Sequence, residues 1–388
     1  MNIGVIAETE PGERRVALVP DAAAKLVKSA HVVAVQAGAG ARAGYADADY
    51  RAAGAAVEDD RPAILGAAGV VLAVQPPRLE DVPWLPSGAA TISFLQPATQ
   101  GAIVEALAAR GVTAFSLELV PRISRAQGMD ALSSQASLAG YKAVLLAANH
   151  LAKFFPMLMT AAGTIPPARV LVLGAGVAGL QAIATARRLG AVVEAYDVRA
   201  AVREEVKSLG ATFLEFELAT QEGEGGYARE QSAEFLTRQR ELLTQRVAAA
   251  DVVITTAAIP GRRAPLLVTA PMVRGMRAGS VIVDLAAETG GNCELTQPGQ
   301  VADVDGVCVD GTTNIPSTMA YHASQLYARN LTNLLQHLAG TGELKVDFTD
   351  EITRGCCVTH AGQIVNERAR QLMGVGSAVQ SPQSEARG

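Results

Sequence analysis

The run Arg169-Val-Leu-Val-Leu-Gly174-Ala-Gly176-Val-Ala-Gly179 constrains this chain more than any other stretch. A short apolar strand leads into spaced glycines, and a helical run continues to Leu189. Gly190 turns the chain, and a second apolar run ends on Asp197. Each part meets a need of a bound dinucleotide. Gly174 lets the chain turn sharply out of the strand, Gly176 lets bare backbone approach a pyrophosphate, and Gly179 lets the new helix pack closely on its strand. Ala175 and Val177 lie between them and join the candidate cofactor-binding set. The helix N-terminus offers N–H groups and partial positive charge to the phosphates. Asp197 can accept hydrogen bonds from the adenosine ribose hydroxyls and would repel a 2′-phosphate, which favours NAD over NADP. A glycine-rich turn alone is a weak signal; the strand before it, the helix after it and the acid beyond make it specific. Gly38-Ala-Gly40 also follows an apolar run, but with no long helix and no matching acid it reads as a loop without a phosphate.

At 388 residues the chain can hold two domains of ordinary size. With 49% hydrophobic and 18% charged residues it can bury a sizeable core. A formal net charge of −5 without a basic stripe argues against nucleic acid as a partner. No long uncharged apolar run predicts a membrane-spanning helix, and the start Met1-Asn-Ile-Gly-Val-Ile-Ala-Glu8 reads as a first strand rather than a signal peptide. A cytoplasmic chain is expected. Cys293, Cys308, Cys356 and Cys357 suit a reducing compartment; the adjacent pair cannot form a CxxC site and reads as core. The histidines (His31, His150, His322, His337, His360) show no metal-ligand spacing with a nearby acid, so structural roles and no metal are expected.

Short apolar runs alternate with helical segments along the chain, the mark of α/β layering around parallel sheets. Strands are expected near 3–7, 31–35, 70–74, 90–94 and 112–117, with helices near 20–29, 46–54 and 100–109. A long Ala/Leu-rich helix is expected from Ser133 to about Ala162, kinked or ended by Pro156. Further strands fall near 169–173, 191–196, 252–255 and 281–284. The stretch Thr220–Glu230, glycine-rich among charges, reads as an exposed flap. Residues 230–248 read as a helix with Phe235, Leu236, Leu242 and Leu243 on a partly apolar face, and a second long helix is expected from Pro316 through Leu338. The expected architecture is two Rossmann-like domains with parallel sheets, joined by long helices around a cleft. One is a nucleotide domain at 135–317, the other a discontinuous domain of 1–134 with 318–388, whose tail after Gly374 is expected to fray.

The chemistry turns on protons. A dehydrogenase acting on an alcohol or amine removes a proton as well as a hydride and needs a positioned acid or base. Hydride transfer between two nicotinamide rings changes no heteroatom's protonation, so the protein only positions and desolvates. Specific stretches bear on this choice: Pro121-Arg-Ile-Ser-Arg-Ala-Gln-Gly-Met-Asp130-Ala-Leu-Ser-Ser-Gln135, Ala152-Lys-Phe-Phe-Pro-Met-Leu-Met-Thr160, Tyr196-Asp-Val-Arg199 and Asp310-Gly-Thr-Thr-Asn-Ile-Pro-Ser-Thr318. Over nearly its whole length the chain resembles the NAD(H)-binding domain I, the separate soluble α1 subunit, of proton-translocating NAD(P) transhydrogenase. It is also similar to alanine dehydrogenase, notably at Glu13-Arg-Arg-Val-Ala-Leu-Val-Pro20. Alanine dehydrogenases place a lysine where Gln75 stands, a histidine at Gln96 and an aspartate at Glu288. Two of those three ionisable groups are here neutral amides, which cannot protonate a carbonyl or imine near neutral pH.

The transhydrogenase resemblance implies that Arg122, Gln127, Asp130 and Ser133 position the nicotinamide end and meet an NADP(H)-binding domain. Gly128, where relatives often carry serine, is a departure expected to matter little. The resemblance further assigns Asp197, Val198 and Arg199 to the adenosine side, and Gly226, Tyr227 and Ala228 to a mobile loop closing over it. Thr256 and Ala257, after the strand Val252–Thr255, sit at a strand end where a nucleotide crevice lies. It implies bound NAD(H), a homodimer, and membrane subunits that couple Re/Si-specific hydride transfer to proton movement. Such a chain would lie in the cytoplasm against the inner membrane and stay inactive as a transhydrogenase without its partners. Two alternatives are alanine dehydrogenase and a non-catalytic NAD-binding module; the second has no need of residues spanning two nicotinamides.

Overall fold

The strand Arg169–Leu173 lies inside one sheet because four of its five residues, Val170–Leu173, are apolar and buried on both faces, as helix-covered parallel strands require. In the computed structural model, which describes residues 1–215, 233–258, 263–340 and 342–374, the chain divides into two units. The first is Met1–Leu132 with the segment from Ala320 onward; the second is Ser133–Met319.

The sheet of the second unit runs, in spatial order, Thr212–Phe213, Val192–Tyr196, Arg169–Leu173, Val252–Thr255, Val281–Asp284, Val307–Asp310 and Val301–Val304. Neighbours are parallel except the final pair. Counted along the chain, its parallel strands lie 3-2-1-4-5-6, so the order reverses between Arg169–Leu173 and Val252–Thr255. Ligands of such sheets sit at that reversal, outside the carboxyl ends of the strands.

The sheet of the first unit repeats the plan: Ala56–Glu58, Val32–Gln36, Asn2–Val5, Val70–Leu72, Ala90–Ser93 and Thr113–Ser116, again 3-2-1-4-5-6. Two antiparallel strands from late in the chain, Cys357–His360 and Gln363–Ile364, extend its edge. The helix Ala320–Ala339 also packs in this unit, burying Ala323, Tyr327, Leu331, Leu334 and Leu338 at the three- and four-residue spacing of one helical stripe.

The α/β class and the parallel sheets expected from the sequence are present. Several elements differ. The helix expected to reach Ala162 spans Ala131–His150 and stops. Beyond it Lys153 pairs with Asp251 at 2.6 Å and Phe155 is buried. Leu158–Thr160 and Gly163–Ile165 then form an antiparallel hairpin, its turn made possible by Gly163 at φ +128°. The expected 316–338 helix opens as a 3-10 turn, Ile315–Met319, before the α-helix begins. Gly40 is a packing glycine: a Cβ there would meet the Tyr50 ring at 2.8 Å. In the helix Ala233–Ala249, Leu243 is buried and Leu236 exposed. Cys356 and Cys357 are buried in the core, and no group of residues suited to a metal ion occurs among the described residues.

Candidate functional site

The glycines of the second unit divide their labour by what surrounds them. Gly174 leaves the strand at φ +104°, and a Cβ there would stand 2.5 Å from Thr256 Oγ1. Thr256 Oγ1 in turn donates to the Gly174 carbonyl at 3.0 Å, so the ends of strands one and four are tied at the reversal point. Gly179 is pressed hardest: a Cβ would lie 1.9 Å from the Gly174 carbonyl oxygen. Gly176 is the opposite case. It caps the helix Val177–Arg188 in extended backbone, and a Cβ there would find only Arg199 Nη2, at 4.0 Å. That opening beside the first N–H groups of a helix fits a pyrophosphate. The cradle is backed by a second helix contact, since a Cβ on Gly140 would be 2.0 Å from the Ala178 carbonyl. Ala175 is buried and Val177 exposed.

Asp197 stands at the end of the second strand, as the spacing predicts, but its carboxylate is heavily engaged within the chain. Oδ2 accepts from Ala175 N–H at 2.7 Å and from Arg199 Nη2 at 2.8 Å. Oδ1 accepts from the Arg199 N–H and Nε, both at 2.9 Å. The bond to Ala175 fixes the glycine-rich turn; the two side-chain bonds from Arg199 are the ones ribose hydroxyls would have to replace, since a carboxylate offers about four acceptor positions. Arg199 thus sits on Asp197 rather than apart from it. Val198 packs partly against the core beneath.

Ala257 follows the fourth strand and is held by a residue the sequence reading passed over. The Ala257 N–H donates to Asn292 Oδ1 at 3.0 Å, and Asn292 Nδ2 donates to the Ala257 carbonyl at 2.8 Å. Asn292 is itself fixed by buried Asp284, whose Oδ2 accepts from the N–H groups of Asn292 and Cys293 and from the Thr296 hydroxyl. An acid closing a strand before Gly-Gly-Asn was the available signal. Glu288 accepts a bond from the Asn314 N–H. Gly226 and Tyr227, with the rest of the expected flap, lie outside the described residues.

The other candidate residues belong to the first unit, apart from Ser133 at the start of the helix Ala131–His150. Ser124–Met129 is a 3-10 turn. With three residues per turn, side chains three apart share a stripe. Ala126 and Met129 are buried on one stripe, and Gln127 is exposed on the next, followed by half-buried Asp130. Arg122 is exposed just before the turn. Gly128 matters more than the sequence reading allowed: its carbonyl accepts from Asn330 Nδ2 at 2.9 Å and Asn333 Nδ2 at 2.8 Å, and a Cβ there would meet Asn333 Nδ2 at 2.9 Å.

At the strand reversal of the first unit lies a polar chain, buried at Glu13 and Arg15 and half-buried at Gln75 and Gln96. Arg15 makes a two-pronged pair with Glu13, Nε to Oε1 at 2.8 Å and Nη2 to Oε2 at 2.6 Å. Gln75 Nε2 donates to Glu13 Oε2 at 2.8 Å, and Gln96 Nε2 donates to Gln75 Oε1 at 2.7 Å. Burial alone would raise the Glu13 pKa, but the bonds and charge of Arg15 and the Gln75 amide outweigh it and hold the group down at about 2. Glu8 goes the other way: burial pushes it up to about 7, against the opposing N–H bonds of Val74 and Gln75. Gln96 takes a left-handed backbone, φ +51°, with its N–H on the carboxylate of half-buried Glu118.

Comparison with known proteins gives the arrangement a family. The model of the alanine dehydrogenase/PNT N-terminal domain matches residues 4–139, and that of the C-terminal domain matches residues 143–367. In Rhodospirillum rubrum the NAD(P) transhydrogenase subunit alpha is divided, and the chain is 48% identical over 376 residues to its first piece, covering 94% of this chain and 98% of that one. It is 31% identical over 382 residues to the alanine dehydrogenase of Halomonas elongata, covering 97% of each. Among solved structures, the transhydrogenase of Sinorhizobium meliloti superposes with a TM-score of 0.83 at 42% identity, covering 95% of this chain and 100% of that one. An L-alanine dehydrogenase superposes with a TM-score of 0.80 at 28% identity, covering 96% and 99%.

Proposed function

Because this chain belongs to the alanine dehydrogenase/PNT family, we propose that it is the NAD(H)-binding subunit of a proton-translocating NAD(P) transhydrogenase. It binds NADH at the glycine-rich turn of the second unit and presents the nicotinamide to an NADP(H)-binding domain on another polypeptide. The cofactor supplies a hydride, which passes from ring to ring with Re/Si specificity; this chain supplies position. Gly176 and the helix N-terminus take the pyrophosphate, Asp197 the adenosine ribose, and Val198 and Arg199 its surroundings. Arg122, Gln127, Asp130 and Ser133 orient the carboxamide end.

The observation that carries this reading is the amide pair Gln75–Gln96. At the two places where alanine dehydrogenases carry a lysine and a histidine, the side chains are uncharged and bonded to each other and to Glu13. Neither can give or take a proton near neutral pH. Glu8, though raised to about 7, is buried and turned onto backbone N–H groups. A site so furnished suits a reaction that needs no acid or base.

Membrane subunits are proposed as partners, with this chain docked on them in the cytoplasm. No helix among the described residues is long and apolar enough to cross a membrane. A homodimer is supported by the hairpin after His150, where Met157 and Met159 are 57% and 76% exposed beside exposed Phe154 and Ile165. Apolar groups gathered on one projection mark an association surface.

The test is to mix the chain with a transhydrogenase NADP(H)-binding domain and follow hydride exchange between NADH and an NAD analogue. Rapid exchange with the partner and almost none without it is expected. Turnover of pyruvate, ammonia and NADH by the chain alone would establish the dehydrogenase instead. Inertness under both conditions, with NADH still bound, would leave a binding module. Gln127→Asn should slow exchange with little change in NADH affinity; an equal fall in both would count against its role.

A further inference from the structure

The 3-10 turn Ser124–Met129 has three stripes, and each has a different environment. Ala126 and Met129 go into the core. Gln127 is outward, on the stripe assigned to the nicotinamide. The third stripe, Arg125 and Gly128, faces the long helix Ala320–Ala339 and the residues after it. There two asparagines three apart on that helix both donate to one oxygen, the Gly128 carbonyl, at 2.9 and 2.8 Å. Arg125 lies 3.6 Å from Asp350, and Asp350 also bonds His337 of the same helix at 2.8 Å. Asp350 caps the helix Glu351–Cys356 as well, accepting from Thr353 N–H at 2.8 Å.

We propose that Asn330 and Asn333 are positioning residues that set the pose of Gln127 by clamping the Gly128 carbonyl. The argument is one of degrees of freedom. A 3-10 turn has poor hydrogen-bond geometry and little stiffness of its own. Buried Ala126 and Met129 set which stripe faces the core but leave the outer side of the turn free to rock. A carbonyl held by two donors on one rigid helix fixes that motion, and the pinned peptide plane, Gly128–Met129, begins at the residue directly after Gln127. A Cβ at 128 would stand 2.9 Å from Asn333 Nδ2, so any other residue there displaces that amide from the carbonyl it holds. Residues 128 and 333 are therefore coupled: a side chain at 128 moves the Asn333 amide off the carbonyl.

This inference rests on the proposed function for its catalytic consequence, and on the two asparagine bonds to the Gly128 carbonyl for the clamp, so two readouts keep the two apart. The first is hydrogen exchange of the amides of residues 124–130 in the intact chain. Asn333→Asp keeps the size but turns a donor into an acceptor facing a carbonyl, and it should speed exchange of those amides about five-fold, the weight of one neutral hydrogen bond. Gly128→Ser should do the same, and Gly128→Ser with Asn333→Ser should do less harm than the sum of the two single changes. The second readout is hydride exchange with an NADP(H)-binding domain, which should fall about five-fold in Asn333→Asp while the NADH dissociation constant stays within about two-fold. Unchanged amide exchange, or additive effects at 128 and 333, would overturn the clamp. A rate that falls only in step with NADH affinity would overturn the positioning role. If the unmodified chain exchanges no hydride, the functional proposal fails, and the clamp is still decided by the amides.

Discussion

Where the strand Arg169–Leu173 ends, the second unit has Gly174-Ala175-Gly176; where Asn2–Val5 ends, the first unit has Ile6-Ala7-Glu8. Both strands lie first in a 3-2-1-4-5-6 sheet, next to the strand at which the order reverses. In one unit Asp197 and Asn292 take the N–H groups of Ala175 and Ala257, but the helix start at Gly176 is left open. In the other, Glu8 reaches across from the first strand to the N–H groups after the fourth, Val74 and Gln75, and the Arg15–Glu13–Gln75–Gln96 chain lies beside it. The backbone donors that a topological switch point offers to a ligand are satisfied there by the protein's own carboxylate. One topology thus gives an open cradle or a filled one, and the choice is made by a few residues after the first strand.

If the cradle is backbone, closing it should be costly. Gly179→Ala places a methyl 1.9 Å from the Gly174 carbonyl, and neither atom belongs to a flexible side chain. Overpacking of this kind costs about 3 kcal/mol or more, so the variant should unfold at markedly lower denaturant and bind no NADH. Native-like unfolding with normal NADH fluorescence quenching would mean the helix can withdraw from the strand. The filled crevice should announce itself through pH. Glu8 titrates at about 7 when folded against an ordinary 4.5. Between those values the folded state keeps a proton that the unfolded chain has released, so stability falls as pH rises through that window, by roughly 3 kcal/mol in all. Glu8→Gln cannot titrate and should lose this slope. Denaturation at pH 5 and pH 7.5 compares them; parallel curves for the two proteins would show that Glu8 is charged in the fold.

The open cradle was legible in the sequence because its parts are local: Gly174, Gly176 and Gly179 lie within one turn, and Asp197 ends the next strand. The filled crevice was legible only as a substitution of amides, since Glu8 meets Val74 and Gln75 across 66 and 67 residues. The Asn330 and Asn333 bonds to Gly128 span more than 200 residues, and nothing near either end signals the other. Short strands were missed for a related reason. Cys357–His360 has little pattern of its own and is held by Thr359, which donates to the Val112 carbonyl at 2.7 Å and accepts from Ala114 N–H at 3.0 Å. Composition misled once: Met157-Leu-Met-Thr160 continues an Ala/Leu-rich helix in residue type, but Pro156 and Gly163 turn it into a hairpin.

Asp197 tests the cradle at its rim. Asp197→Ala removes a buried acceptor from the Ala175 N–H and frees the Arg199 guanidinium. A loss of about 1–2 kcal/mol in stability and about ten-fold in NADH affinity, some 1.4 kcal/mol, is expected from unfolding and fluorescence titration. Unaltered affinity would show that the ribose hydroxyls find no partner in this carboxylate.

Gly176 should give the smallest change in the fold and the most informative one. Its backbone is extended, a conformation open to any residue, and an added methyl would find only Arg199 Nη2, 4.0 Å away at the end of a flexible side chain. Stability of Gly176→Ala should therefore match the unmodified chain within about 0.5 kcal/mol. NADH affinity should still drop about ten-fold or more, because a pyrophosphate drawn onto the helix N-terminus meets the methyl that the empty fold tolerates. Gly179→Ala, three residues on, fails in folding; Gly176→Ala should fail only in binding. If both properties survive at 176, the phosphates lie elsewhere and the open cradle differs from the filled crevice for some reason other than its ligand.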